Sequence, residues 1–371
     1  MGQTIAEKIF SSRAKRRVEA GEILFVPVDV MMSNDASFPL VLEAIRKMRG
    51  FQVKEPKKLI LILDHYCPSP SSAVVSIHED MKAFAAQYGC LLYRGGEGIC
   101  HQIIPEKGHV RPGQIAIGTD SHTTTYGALN LFGTGVGSTD MALAIHYGVL
   151  WFRVPQSMKI EVEGNVPAGV YAKDIILHII GKVTARGASY QSIEFGGSAL
   201  KGLTMESRFT ICNMAVEMGA KAGIMPWDET CRDWCEQRGI RGFEPVIADR
   251  DAAYEARHSF DVAHLEPQVA CPHQVDNVHP VSSVKGEKIG MAFLGTCTNG
   301  RVEDLSAAAK ILRGKKVHPD VTLIISPASR TVLLDAMKKG VIQDLIASGG
   351  MLNVPGCGPC IAHWEGSRET G

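Results

Sequence analysis

Apolar and polar residues follow two different periods along this chain, and the two periods predict alternating strands and helices. Continuous apolar runs, which are typical of buried strands, occur at 58–63, 114–117 and 288–294. A helical period follows over 72–88, where apolar residues recur every three to four positions until Gly89 ends the helix. Glycines at the junctions separate the elements. This alternation predicts an α/β fold.

The same patterns predict where the chain divides into domains. The pattern restarts after residue 153 with an alternating strand, and a stretch at 264–285 with few periodic apolar residues is interpreted as a linker. We therefore expect three α/β domains, at 1–153, 154–266 and 267–371. Further predicted elements are strands at 23–30, 158–162 and 321–325 and helices at 39–48, 174–184, 207–219, 228–254, 302–312 and 329–347.

Composition narrows the class of protein. The chain has 371 residues, 45% of them hydrophobic and 21% charged, with 39 basic and 39 acidic side chains. This balance gives no bulk attraction to nucleic acid or to an anionic membrane, and no apolar run approaches the length of a membrane span. Ten cysteines, mostly on apolar segments, favour a reducing compartment over a secreted disulfide framework. We expect a cytoplasmic protein with neither nucleic acid nor membrane as its partner.

Three cysteines near the end of the chain carry the candidate chemistry. Cys357 and Cys360 form a Cys-x-x-Cys pair, which alone is compatible with zinc, redox or iron–sulfur chemistry. Cys297 precedes them in a turn between a predicted strand and a predicted helix. A [4Fe–4S] cluster uses four thiolates, so three would leave one iron open to act as a Lewis acid. From spacing alone, a cluster and a structural use of these cysteines both remain open.

The residues around these cysteines resemble a known family. Gly-Thr-Cys-Thr-Asn-Gly-Arg (295–301) and Pro-Gly-Cys-Gly-Pro-Cys (355–360) are similar to the cluster-binding motifs of the aconitase superfamily. The resemblance is strongest to its large-subunit branch of 3-isopropylmalate dehydratases, homoaconitases and dimethylmalate dehydratases. It implies three-layer α/β/α domains with the cluster between domains. It also implies a [4Fe–4S] cluster with one open iron and three protein ligands, Cys297, Cys357 and Cys360.

Other motifs extend the resemblance over nearly the whole chain. By themselves, Asp64-His65 at a strand end can fix an imidazole tautomer, whereas His101 and Glu194 would be ordinary core and strand-end residues. The strings Asp-His, Gly-x-x-His-Gln, Gly-Thr-Asp-Ser-His-Thr and Ile-Glu-Phe resemble the active-site motifs of the family. The resemblance implies catalytic roles for Asp64, His65, His101, Asp120, His122 and Glu194. We also expect Asn299 and Arg301 to contact a substrate carboxylate, and Ser121 to be a further substrate-binding residue.

The resemblance implies a hydro-lyase that dehydrates and rehydrates a small hydroxy di- or tricarboxylic acid. A 3-isopropylmalate dehydratase of leucine biosynthesis is the leading expectation, with homoaconitase or 2,3-dimethylmalate dehydratase as alternatives. In this branch the carbon base is a serine on a swivelling domain of a separate small subunit, so a small subunit is the expected partner.

The C-terminal sequence favours a competing hypothesis. The family continues after its last cysteine with an Asn-Arg-Asn-Phe-x-Gly-Arg segment whose arginines bind substrate, whereas this sequence ends eleven residues after Cys360 (371 − 360). Arg368 does not match that context. We therefore expect an abbreviated third domain, and a non-catalytic cluster-binding or regulatory relic remains an alternative. A protein that uses the same cysteines for structural zinc is a further alternative.

Overall fold

The computed structural model describes residues 2–69 and 71–361. These residues form twelve α-helices, separated by strands and short 3₁₀ turns. The helices are α1 (Ile5–Ala14), α2 (Phe38–Arg46), α3 (Ser72–Tyr88), α4 (Cys100–Glu106), α5 (Ser138–Tyr147), α6 (Ala172–Val183), α7 (Met205–Asn213), α8 (Glu229–Gln237), α9 (Thr296–Asn299), α10 (Val302–Leu312), α11 (Arg330–Lys338) and α12 (Val341–Ala347).

Sixteen strands alternate with these helices in the same part of the chain. They are β1 (Ile23–Pro27), β2 (Val30–Asn34), β3 (Leu59–Ile62), β4 (Leu91–Tyr93), β5 (Ile115–Gly118), β6 (Phe132–Gly135), β7 (Val149–Arg153), β8 (Ser157–Glu163), β9 (Ser192–Gly196), β10 (Ala222–Ile224), β11 (Ala256–Asp261), β12 (Gln268–Ala270), β13 (Val278–Pro280), β14 (Met291–Gly295), β15 (Thr322–Ser326) and β16 (Met351–Leu352). The predicted α/β fold is confirmed.

The chain folds into two compact units, and it passes from one to the other inside β2, inside α4 and after residue 286. Unit 1 comprises 1–31 and 105–286, and unit 2 comprises 32–104 and 287–371. In unit 1, strands β10, β9, β8 and β11 form a parallel sheet in that order. Unit 1 also contains the parallel pair β5–β6 and the antiparallel pairs β1–β7 and β12–β13.

Unit 2 contains two groups of parallel strands. Strands β3 and β4 pair in one group, and β14, β15 and β16 form the other. Helices α10, α11 and α12 pack on the second group through a core that includes Leu305, Ile325, Val332 and Leu345. Burying these side chains removes apolar area from water and so fixes the helices against the strands. The carboxyl ends of β3 and β14 lead into the candidate site.

Periodicity predicted some elements well and one badly. Helices α3 and α10 begin and end where the sequence predicted them. The predicted helix at 228–254 is wrong, because only α8 forms there and no regular element follows until β11. Gly239, Gly242 and Pro245 interrupt that segment, and glycine and proline are the residues least compatible with a helix interior.

The stretch at 264–285, interpreted as a linker, contains the paired strands β12 and β13 and belongs to unit 1. The division into three domains stays a prediction. Arg368 lies outside the described residues. No helix within 2–69 and 71–361 combines the length and the apolar content needed to cross a membrane.

Candidate active site and metal centre

Asp64 connects three segments of unit 2 through three separate hydrogen bonds. Its Oδ1 accepts from Nδ1 of His65 at 2.9 Å, and its Oδ2 accepts from the backbone N–H of Cys100 at 2.7 Å. Its backbone carbonyl accepts from the N–H of Cys357 at 2.8 Å. Asp64 is fully buried, and His65 is 6% exposed. The aspartate therefore fixes one imidazole and ties it to the start of α4 and to the last cysteine loop.

The orientation of His65 follows from this bond. Because Nδ1 donates to the carboxylate, Nε2 carries the lone pair of the neutral ring. Asn34 Nδ2 lies 3.4 Å from Nε2. The backbone N–H of His65 donates to Asp35 at 2.9 Å, so a second buried carboxylate holds the turn itself. His65 thus presents a proton acceptor in a fixed direction.

His78, which was not predicted as a site residue, lies next to the turn of His65. Its Nε2 donates to Asp35 Oδ2 at 2.8 Å, and Ser69 Oγ donates to its Nδ1 at 3.1 Å. His78 lies on the buried face of α3. A buried polar residue at an apolar helical position was the signal that could have identified it. The Asp35–His78 pair supports the turn that carries His65.

Cys297 lies in α9, the single helical turn that connects β14 to α10, so it occupies the predicted connection between a strand and a helix. Gly295 has φ 154°, and a Cβ there would stand 2.3 Å from the carbonyl oxygen of Ser326. Only glycine tolerates this backbone conformation and this close approach. Cys297 is buried, with 7% of its surface exposed. The turn therefore holds the thiol at the carboxyl end of β14.

Cys357 and Cys360 face each other in the last loop. The N–H of Cys360 donates to the carbonyl of Cys357 at 2.9 Å. The pKa of the Cys357 thiol is raised, first by its hydrogen bond with Cys360, then by burial and by the Cys297 sulfur. The Cys357 thiol is therefore hydrogen-bonded to Cys360 and lies within electrostatic range of the Cys297 sulfur. A Cβ on Gly356 would stand 3.0 Å from the carbonyl oxygen of Asp64, so this loop packs tightly on the Asp64 turn.

Arg301 is buried, whereas a residue that binds substrate from the protein surface would be exposed. It is 1% exposed, and Nη2 and Nη1 donate to the carbonyls of Cys297 and Thr298 at 2.8 and 3.0 Å. Its Nε donates to Gln102 Oε1 at 3.0 Å. The guanidinium thus connects the cysteine turn to the residue after His101. His101 itself is 2% exposed on α4.

Asn299 is oriented by the helix that follows it. Its Nδ2 donates to Asp304 Oδ1 at 2.7 Å. Its Oδ1 is buried and has no hydrogen-bond partner among residues 2–69 and 71–361. Because a buried acceptor without a partner costs free energy, this oxygen marks a position where a further donor fits.

His122 stands between two carboxylates of unit 1. Its Nδ1 lies 3.5 Å from Asp120 Oδ1, and its Nε2 lies 3.5 Å from Glu217 Oε1. The backbone N–H of His122 donates to Asp120 at 2.8 Å. The imidazole is one-third exposed. Glu217 was not predicted as a site residue, because it follows α7 by only a few residues and lies far from His122 in sequence.

Asp120 and Ser121 also line a cavity of about 420 Å³ within unit 1. Its wall includes Trp151, Tyr190 and Lys221. Burial lowers the pKa of Lys221. This cavity gives the Asp-Ser-His motif space for a small molecule.

Glu194 lies in the interior of unit 1. It is fully buried, and its two oxygens accept from the backbone N–H of Ile5 at 2.5 Å and from the hydroxyl of Tyr254 at 2.6 Å. Burial raises the pKa of Glu194, against the effect of these two hydrogen bonds. Its expected support of an active-site histidine stays a prediction.

Two groups of residues could hold a metal. The ligand atoms of Asp64, His65 and Cys100 lie within 4.8 Å of one another. The Asp64–His65 hydrogen bond and the Cys100 N–H account for this proximity without an ion. The thiols of Cys297, Cys357 and Cys360 form the other group, and soft thiolates suit iron–sulfur clusters.

Comparison with known proteins agrees with these motifs. The family model described as "Aconitase family (aconitate hydratase)" matches residues 7–370. The chain is 45% identical over 372 residues to 3-isopropylmalate dehydratase large subunit 1 of Methanopyrus kandleri, covering all of this chain and 89% of that protein. It is 46% identical to 3-isopropylmalate dehydratase large subunit 1 of Thermotoga maritima, again covering all of this chain and 89% of that protein.

Two further comparisons concern substrate choice and fold. A probable methanogen homoaconitase large subunit of Methanothermobacter thermautotrophicus is 45% identical, covering 99% of this chain and 87% of that protein. The crystal structure of Thermococcus kodakaraensis aconitase X in its holo-form shares the fold, with a TM-score of 0.51, 12% identity and coverage of 95% of this chain and 84% of that one. With its cysteine turn, its Asp-His pair and a family match over nearly its whole length, the chain belongs to the aconitase family, which implies an iron–sulfur cluster.

Proposed function

We propose that the chain is the large subunit of a 3-isopropylmalate dehydratase, a hydro-lyase that interconverts 2- and 3-isopropylmalate. The observation that carries the proposal is the triple use of Asp64, which ties a buried imidazole to the loop of Cys357. A proton-transfer group and a soft-metal ligand set therefore adjoin within one unit. Relatives with this name are 44–47% identical over the full chain.

The cysteine residues fit a [4Fe–4S] cluster held by three ligands. Cys297, Cys357 and Cys360 supply three thiols, two of them buried and one exposed, and Cys357 is hydrogen-bonded to Cys360. Among the described residues, no donor reaches Oδ1 of Asn299, two positions after Cys297, so this oxygen is available to a group that those residues do not supply. When bound, the cluster supplies a Lewis-acidic iron that makes a substrate hydroxyl a better leaving group.

The histidines perform the proton transfers in this proposal. His65, held by Asp64, delivers and accepts a proton through Nε2, because Nδ1 is committed to the carboxylate. His122, between Asp120 and Glu217, is the second proton-transfer group, and His101 is the third. Ser121 and Asn299 contact the substrate. A separate small subunit supplies the carbon base, and a cytoplasmic location stays a prediction.

Arg301 acts as a positioning residue in this proposal. Its three guanidinium hydrogen bonds hold the Cys297 turn against Gln102, next to His101. The expected contact of Arg301 with a substrate carboxylate stays a prediction, which a steady-state KM measurement on variants tests.

Cysteine substitution tests the metal centre. Cys297→Ser, Cys357→Ser and Cys360→Ser should each abolish stable binding of about four irons per chain in anaerobically reconstituted protein. Cys271→Ser, a half-buried free cysteine in unit 1, is the control and should retain full iron. Iron analysis and EPR provide the measurement. Full iron retention in any of the three variants contradicts the ligand assignment, and stoichiometric zinc instead of iron supports the structural alternative.

Homoaconitase is the second candidate function, because a homoaconitase large subunit is as similar as the dehydratases are. Assay of the reconstituted chain with a small subunit on 2-isopropylmalate, homocitrate and dimethylmalate separates the candidates. The highest kcat/KM identifies the substrate. No turnover of any of the three by iron-loaded protein would contradict the hydro-lyase proposal.

A further inference from the structure

The antiparallel pair β1–β7 in unit 1 exposes an apolar outer face. Its register places Phe25 opposite Trp151 and Ile23 opposite Arg153. The exposed fractions are 68% for Ile23, 73% for Phe25 and 45% for Trp151. The solvated face of an antiparallel pair normally carries polar residues. This outer face, formed by Ile23, Phe25, Trp151 and Arg153, is called the β1–β7 patch.

Packing of the core does not account for the patch. The inner residues of the same strands are buried, and Phe152 meets the ring of Phe10 at 5.3 Å and that of Phe132 at 6.3 Å. The strands would therefore be stable with polar residues on their outer face. Clusters of exposed large apolar side chains often mark interaction sites.

The patch continues into the cavity of the Asp-Ser-His motif. Trp151 belongs to the patch and also lines the 420 Å³ cavity beside Asp120 and Ser121. Tyr190, on the same cavity wall, donates its hydroxyl hydrogen to the carbonyl of Arg153 at 3.3 Å. A protein that covers the patch therefore also borders the mouth of this cavity.

Arg153 is the exposed cation of the patch, and the half-buried Lys221 lies on the wall of the neighbouring cavity. Arg153 Cζ and Lys221 Nζ lie 6.0 and 5.3 Å from the centroid of the Tyr190 ring. Asp120 and Asp140 line the neighbouring cavity. Tryptophan, tyrosine and arginine are the residues most enriched among those that dominate binding energy at interfaces. The exposed guanidinium of Arg153 suits a partner whose apolar contact is flanked by acidic side chains.

We propose that the β1–β7 patch is the docking surface for the small subunit, which contacts it through an apolar segment with acidic neighbours. This rests on the proposed function, in which a separate subunit brings the carbon base to the substrate. Docking here places that subunit beside Asp120 and Ser121. A second copy of this chain suits the surface less well. A two-fold contact centred on the patch would bring the two Arg153 guanidinium groups close together.

Binding to the small subunit tests this assignment. The probe is the purified 3-isopropylmalate dehydratase small subunit from the source organism of this chain, titrated into iron-loaded chain by calorimetry. Phe25→Glu and Trp151→Glu should each raise Kd at least about 30-fold, because an introduced charge would be buried at the contact. Arg153→Glu should raise Kd by a smaller factor and reduce the salt dependence of binding.

A matched control uses another exposed apolar residue. Ile311→Glu on α10 of unit 2, where the side chain is 62% exposed, should leave Kd unchanged. Iron content and circular dichroism establish that each variant is folded. Wild-type affinity in Phe25→Glu and Trp151→Glu overturns the docking surface alone. A homodimer that dissociates in Phe25→Glu while small-subunit binding persists also overturns it. Failure of iron-loaded wild-type chain to bind the small subunit overturns the proposed function as well.

Discussion

His65 in unit 2 and His122 in unit 1 each stand beside an aspartate of their own turn, but their surroundings differ. His65 is 6% exposed, and a 2.9 Å bond to a fully buried carboxylate fixes its ring. His122 is one-third exposed and lies 3.5 Å from each of two carboxylates. The first arrangement sets a tautomer before substrate arrives. The second leaves room for the ring to adjust when a ligand enters.

This difference predicts unequal consequences of removing one charge. Asp64→Asn keeps the size of the side chain but presents an amide to His65, which disfavours the tautomer with Nδ1 protonated. A comparable change in the serine protease triad lowers kcat by roughly 10⁴-fold, so we expect a loss of about 10³–10⁴-fold here. Steady-state kinetics with iron analysis provide the measurement. Asp80→Asn on the exposed side of α3 is the control. A loss below tenfold with full iron would show that the Asp64–His65 bond is not catalytically important.

The corresponding change at His122 should have a smaller effect. Glu217→Gln removes one of two carboxylates while Asp120 remains, so we expect kcat to fall about 10²-fold, at the low end of acid–base contributions. Glu229→Gln, an exposed residue at the start of α8, serves as the control. The pH profile of kcat should also shift, which loss of folding alone would not produce. A loss as large as that of Asp64→Asn would show that His122 depends on its carboxylates as strongly as His65 does.

Arg301→Lys tests the link between the cysteine turn and α4. Lysine keeps the charge but cannot reach Cys297, Thr298 and Gln102 together, and hydrogen bonds from charged groups contribute about 1.5–3 kcal/mol each. We expect faster iron loss in air and a lower midpoint of thermal unfolding, with KM unchanged. Lys310→Arg on α10 is the control, because it exchanges one basic side chain for another in the helix that follows Arg301. A raised KM with normal iron retention would instead support the predicted contact of Arg301 with substrate.

Glu194 should give the smallest effect, visible as a pH dependence of stability. Because burial raises its pKa in the folded protein above the ordinary value of 4.5, the folded state holds this proton more tightly than the unfolded state. The free energy of unfolding should therefore decrease as pH rises from about 4.5 through the raised pKa. Glu194→Gln should remove this dependence. Urea unfolding between pH 5 and 8 measures it, and identical slopes in both proteins would contradict the assignment.

Local patterns were sufficient for much of the fold and for part of the site. The period of α3 and α10 marks both ends of each helix, because their caps and apolar stripes lie within the segment. The Asp64-His65 pair and the turn of Cys297 were found because the residues adjoin in sequence. Glycines and a proline inside 228–254 argued against a long helix. The charged composition of the segment favoured a helix and led to the wrong prediction.

Contacts between distant segments could not be predicted in this way. Glu217 meets His122 only because the chain brings α7 and the Asp-Ser-His turn together. The environment of Arg301 depends on whether neighbouring carbonyls turn inward, which no local period encodes. The same limit applies to Asp35 and His78. They are 43 residues apart in sequence, but His78 Nε2 lies 2.8 Å from Asp35 Oδ2.

The carbonyl of Asp64 has a consequence for how this centre can fail. Asp64 holds the His65 imidazole through its side chain and the loop of Cys357 through its backbone carbonyl. Gly356 packs tightly against that carbonyl. Displacement of that loop moves Asp64 and therefore also disturbs the alignment of the His65 ring. Damage to the metal-binding loop and loss of proton-transfer geometry would then occur together. A damaged molecule would lose activity altogether rather than catalyse an incorrect reaction.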